Sequence, residues 1–130
     1  QALKEAFGDR CYVTEYSNMQ ELIAISDIVV SSFSTVALET MIAEKPLVLV
    51  GIDKNALMMM ESHFLPYERN HALYIARTGE AINHYICELV LEPSVQKALT
   101  ESANDFLKEN FCFDGKSATR MADFLETLRK

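Results

Sequence analysis

The chain lacks an apolar run of the ~18–20 residues that a membrane span requires, and its longest apolar stretches are strand-sized. No signal-peptide pattern opens it. Positive charge is scarce: 12 Lys and Arg stand against 19 Asp and Glu, a net charge of −7, which argues against broad nucleic-acid binding because that needs a basic surface. It does not argue against binding one nucleotide, since backbone N–H groups can hold phosphate without net positive charge. The cysteines Cys11, Cys87 and Cys112 are odd in number and widely spaced, with no CxxC or Cys/His ligand pattern. They are expected to be small buried hydrophobes in a reducing cytosol. His63, His71 and His84 have no HExxH spacing, and no DxD-like pair points to a bound metal, so no metal site is expected. With 4 glycines in the whole chain, neither a Rossmann fingerprint nor a P-loop is present.

What remains is the composition of an ordinary globular domain: 130 residues, 49% apolar and 24% charged, enough for one domain with one core over residues 1–130. The opening Gln1-Ala2-Leu3-Lys4-Glu5 reads as mid-helix without an initiator Met, so the chain is expected to be a fragment of a longer protein.

Hydrophobic period divides the chain into alternating elements. Residues 2–7 read as a helix end closed by Gly8, and residues 11–16 as a short β-rich strand. Asn18, with Glu21 three residues later, forms a capping-box pattern for a short helix to about Ile25. Ile28-Val29-Val30 is a continuous apolar run, suited to a strand buried on both faces of a parallel sheet. A helix over residues 35–43 ends at Lys45-Pro46, and Leu47-Val48-Leu49-Val50 is a second buried strand closed by Gly51. Residues 53–71 read as a long loop with a short helix, and residues 73–76 as another strand. Thr78 caps a helix with apolar residues at 81, 82, 85, 86, 89 and 90. Pro93 starts a second helix, with Val95, Ala98, Leu99, Phe106 and Leu107 on its buried side. Asp114-Gly115 turns the chain into a last helix bearing Met121, Leu125 and Leu128. This order implies an α/β fold, a Rossmann-like parallel sheet flanked by helices.

In such sheets ligands bind at the C-terminal ends of the strands. The best-equipped end is Ser31-Ser32-Phe33-Ser34-Thr35, which follows one strand and opens a helix. Backbone N–H groups and hydroxyls there suit a diphosphate. Glu39 lies one helical turn after Thr35, inside a helix that is apolar nearly all round, and a carboxylate there can accept hydrogen bonds from a ribose diol. His63 falls near this site, whereas His84 beside Asn83 reads as a surface residue.

These residues carry a resemblance. The stretches Tyr16-Ser17-Asn18-Met19-Gln20-Glu21-Leu22, Ser26-Asp27-Ile28-Val29-Val30-Ser31, Ser34-Thr35-Val36-Ala37-Leu38-Glu39-Thr40 and Glu44-Lys45-Pro46-Leu47-Val48-Leu49-Val50 resemble the C-terminal domain of GT-B glycosyltransferases. That group includes the peptidoglycan N-acetylglucosaminyl transferase, lipid-A disaccharide synthase and the related UDP-N-acetylglucosamine 2-epimerase. Phe113-Asp114-Gly115-Lys116-Ser117-Ala118 is similar to the endings of the epimerase and of CDP-glycerol transferase. The resemblance implies the C-terminal half of a GT-B fold, truncated at its N-terminus, in a cytoplasmic glycosyltransferase. Residues Phe33, Ser34 and Thr35, with Ser32, would hold the donor diphosphate. Glu39 would bind the ribose, Tyr16, Asn18 and Met19 would lie against the base, and Gly51, Asp53 and Lys54 would border the donor sugar.

On this expectation the whole enzyme moves a sugar, or a glycerol-phosphate-like group, from a UDP or CDP type of donor to an acceptor, with no further cofactor. A membrane-surface acceptor is compatible with it. The missing N-terminal domain supplies the acceptor site and the catalytic base, so the fragment alone is expected to be inactive. The alternatives are a non-hydrolysing epimerase of the same architecture and a non-catalytic nucleotide-binding or assembly module. The family often has glycine where this chain has Phe33 or Ser34, and the epimerase's paired acids are reduced here to Leu38-Glu39, which favours transfer over epimerisation.

Overall fold

The structure is a computed structural model that describes residues 8–14 and 18–129. The expected helix over residues 2–7 and the site residue Tyr16 lie outside the described residues. After a 3-10 turn at Gly8–Arg10 come α1 (Met19–Ile25), β1 (Val29–Ser31), α2 (Val36–Ile42), β2 (Leu47–Val50), α3 (Lys54–Arg69), β3 (Tyr74–Ala76), α4 (Gly79–Leu91), α5 (Pro93–Asn110) and α6 (Ser117–Thr127). The three strands form one parallel sheet in the order β1-β2-β3. The fold is therefore α/β, a three-stranded parallel sheet flanked by helices, consistent with a Rossmann-like arrangement.

Local chemistry explains the boundaries. Asn18 accepts a hydrogen bond from the Gln20 N–H and opens α1. Its amide donates to Glu21 at 3.2 Å, so the capping pair closes side chain to side chain. The Thr78 hydroxyl accepts from the Ala81 N–H at the start of α4, and Pro93, which needs no helical donor, starts α5. At the end of α2, Glu44 takes the left-handed conformation (φ 56°) and hands the chain to the buried Pro46 and β2.

Register sorts the side chains into two layers. Leu49 of β2 pairs with Ile75 of β3, and both face a core completed by Ala37 and Met41 of α2, Met60 and Phe64 of α3 and Phe106 and Leu107 of α5. On the other face Val48 and Ala76 pack with Leu89 of α4 and Leu99 of α5. The 18-residue α5 joins the two layers, because its first half serves one face and its second half the other.

Several expectations need correction. Residues 11–14 form no strand. Tyr12 is 84% exposed and Val13 54%, so β-rich composition there found no sheet edge to pair with among the described residues. Val30 was expected to be buried, yet it is 47% exposed. It pairs in register with Val48 and so faces the α4 side, but α4 packs over β2 and β3 and stops short of the outer strand. The long loop expected over residues 53–71 is a 16-residue helix. Asp53 caps it, accepting from the N–H groups of Asn55 and Ala56 at 3.0 Å each, and Leu57, Met60, Phe64 and Tyr67 form a continuous stripe against the core. Pro66 lies inside its last turns and does not end it, because that stripe outweighs one missing backbone donor.

The cysteines are not buried: Cys87 and Cys112 are exposed and Cys11 is half-buried. Cys87 falls off the packed stripe of α4, which runs through Ala81, Ile82, Tyr85 and Leu89. Val90 is also outside that stripe and Ala98 is exposed on α5. The last helix forms as expected but buries nothing; Met121, Phe124, Leu125 and Leu128 are each more than half exposed.

Candidate functional site

Parallel strands bring three turns to one edge of the sheet: residues 32–35 after β1, 51–53 after β2 and 77–78 after β3. The strand order runs one way, so no reversal of order lies among the described residues, and the site must be judged from its side chains.

The turn after β1 is polar and accessible. Ser32 and Thr35 are exposed and Ser34 is half-buried. Ser34 is the residue that caps α2: its Oγ accepts from the Val36 N–H at 3.3 Å, and its carbonyl accepts from the Ala37 N–H at 3.2 Å. Thr35 makes no capping bond with its side chain. Phe33 turns toward α3, where its ring meets His63 edge-on at 5.1 Å and Phe64 at 5.9 Å.

Two hollows flank this turn. One, of about 270 Å³, lies between the turn and α3, and is bounded by Phe33, Ser34, Thr35, Leu38, His63, Phe64 and Tyr67. Burial pushes the Tyr67 phenol up from its ordinary value, so it stays protonated and can donate. The second hollow, of about 300 Å³, lies between α1 and α2 and is bounded by Gln20, Ile23, Glu39, Ile42 and Ala43. Glu39 is half-buried there, and its carboxylate makes no hydrogen bond or ion pair with any of the described residues. The start of α2 thus straddles both hollows. Ser34 and Thr35 open toward α3, and Glu39, one turn on, opens toward α1.

The other expected residues have these surroundings. Asn18 serves as the cap of α1 with Met19 beside it, 44% exposed. Gly51 is buried, and a Cβ added there would come within 2.9 Å of Met60 Sδ. The Asp53 carboxylate is engaged in capping α3, and Lys54 is exposed at the first position of that helix.

At the third strand end Arg77 is fully engaged. Its two terminal nitrogens hold Glu68 at 2.7 and 2.8 Å, and its Nε holds Glu61 at 3.2 Å. These bonds raise the Arg77 pKa still further above its ordinary value. The guanidinium ties α3 to the end of β3 and is not a free phosphate ligand. No local pattern betrays this tie, because residues 61 and 68 lie in the segment whose sequence suggests a loop. His63 lines the site as its place in the chain suggests, whereas Gln20 and Tyr67 enter it only through packing.

A larger hollow, about 510 Å³, is elsewhere. It is bounded by His71, Tyr74, Glu88 and the first half of α5, beside the start of β3, at the opposite end of the strands from the three turns. Size alone does not make it the site, since ligands of parallel α/β sheets gather at the other end. Among the described residues no group of three or more His, Cys, Asp or Glu could hold a metal ion, and no helix is long and apolar enough to cross a membrane. No family profile, curated protein or solved structure matches the chain.

Proposed function

We propose that this chain is the donor-binding domain of a cytoplasmic GT-B-type glycosyltransferase, and that it binds a nucleoside diphosphate sugar at the turn after β1. The observation that carries this reading is Glu39, a half-buried carboxylate with no partner among the described residues, lining a hollow one helical turn beyond an exposed Ser/Thr turn at the C-terminal edge of a parallel sheet. A carboxylate in such a place stays solvated and free to accept two hydrogen bonds, as a ribose diol offers.

In this reading the diphosphate rests on the backbone amides and hydroxyls of Ser34 and Thr35. The ribose lies against Glu39 and Gln20, and the base runs along α1 toward Asn18 and Met19. Fixed donors at the diphosphate would stabilise the charge that builds on the leaving group as the sugar departs. The acceptor and the catalytic base belong to another domain, so this chain binds donor without turning it over. Leu38 in place of a second acid beside Glu39 supports transfer over epimerisation.

Location is tested by backbone amide NMR. Adding UDP, CDP or GDP should shift the resonances of Gln20, Ser34, Thr35 and Glu39 and leave His71 and Tyr74 unmoved. Shifts confined to the His71 and Tyr74 hollow would refute the placement. Activity is tested separately: the 130-residue chain should give no sugar transfer. A longer protein containing it should release sugar only when acceptor is present, and epimerised product without acceptor would assign it to the isomerases.

A further inference from the structure

His63 projects from the third turn of α3 into the wall of the hollow shared with Ser34 and Thr35. Its Nδ1 lies 2.9 Å from the Met59 carbonyl oxygen, which can only accept, so Nδ1 carries the proton. Ser62 Oγ lies 2.6 Å from the same nitrogen and donates its own proton to the same carbonyl at 2.9 Å, so it meets the Nδ1–H as an acceptor. A neutral imidazole has one N–H. With that N–H committed to α3, Nε2 is left as a bare acceptor, and no described residue bonds to it.

The rest of the hollow is apolar wall with hydroxyl groups at its margin. Phe33, Leu38 and Phe64 form the wall, and Ser34, Thr35 and Tyr67 bring hydroxyls. About 270 Å³ holds one ring-sized group and not a whole nucleotide. Apolar walls that meet C–H faces, combined with scattered hydroxyls and a ring-nitrogen acceptor, match a pyranose. The hollow also lies on the opposite side of the Ser34 and Thr35 turn from Glu39, which is where the group beyond the diphosphate would extend if the ribose sits at Glu39. We infer that this hollow receives the transferable sugar ring of the donor, and that His63 Nε2 accepts a hydrogen bond from one of its hydroxyls. The inference rests on the donor-binding reading above and adds to it a residue on α3.

Calorimetry separates the two. UDP, CDP and GDP are each titrated beside their glucose derivatives, into the wild-type chain and into His63→Ala and His63→Gln. For the base that binds, the preference for the glucose derivative over the bare diphosphate should fall about three- to tenfold in His63→Ala, the worth of one hydrogen bond. It should be kept in His63→Gln, which retains an acceptor near the Nε2 position. In parallel, the His63 Nε2 nitrogen resonance should move on adding the glucose derivative and not on adding the diphosphate. An unchanged preference in His63→Ala, equal losses for both ligands, or an unmoved Nε2 would overturn the sugar-contact role while leaving the nucleotide site standing. Binding of none of the six ligands would remove the donor-binding reading and this inference together.

Discussion

Gly51 stands where nothing larger fits. A Cβ there would lie 2.9 Å from Met60 Sδ and 3.2 Å from the Leu57 backbone, and backbone cannot give way as a side-chain tip can. Gly51→Ala is therefore expected to destabilise the fold by about 1–3 kcal/mol, the usual cost of overpacking, seen as a lower urea midpoint at unchanged m-value. Gly79 makes the opposite case. It opens α4 with an ordinary φ and with nothing within 4 Å of an added Cβ, so Gly79→Ala should leave stability unchanged or raise it by up to about 1 kcal/mol in the same assay. Asp114 gives a residue-scale pH dependence. Hydrogen bonds from Arg120, and then from the Lys116 N–H, hold its carboxyl below the usual carboxylate range. A depressed folded-state pKa means the interaction is present above the unfolded value and is lost as pH falls through the folded one. A carboxyl carbon NMR titration should therefore show Asp114 protonating later, on lowering the pH, than an unpaired aspartate. Arg120→Ala should move it part of the way back toward the ordinary range, since the bond from the Lys116 N–H remains.

At the scale of elements, the tie from Arg77 to Glu68 and Glu61 is what anchors α3 to the third strand beyond its apolar stripe. The guanidinium is about one-third exposed, so its worth is modest. Arg77→Met should cost about 1 kcal/mol, and the deficit should shrink in high salt, where the two carboxylates left behind repel each other less. A loss that is independent of salt would show that packing, and not charge, holds α3 in place. This tie also marks the limit of what the sequence disclosed. The α1, α2, β2, α4 and α5 segments were legible because each carried a cap or stop in the chain itself: Asn18, Lys45-Pro46, Gly51, Thr78 and Pro93. Helix α3 was not legible because three consecutive methionines and an internal proline hid a stripe that only appears at residues 57, 60, 64 and 67. Strand β1 was recognised, but its burial was overread, since an apolar run cannot reveal how far a helix reaches across a sheet. For the same reason the Ser31–Thr35 turn and Glu39 could be picked out from local pattern, whereas the division of the site into two hollows depends on α1 and α3 and was invisible.

For the molecule as a whole, the arrangement places three polar turns on one edge and the two cores behind them. The sheet and α5 form a rigid back to a site whose working groups sit on short connections. The proposed function requires that this edge bind a nucleotide through Glu39. The most direct measurement is calorimetric titration of the 130-residue chain and its Glu39→Ala variant with UDP, CDP and GDP. One of the three should bind the wild type saturably, and the variant should bind it about tenfold or more weakly, the worth of hydrogen bonds to a charged acceptor. Absence of binding to the wild type, or equal affinity in Glu39→Ala, would contradict the account.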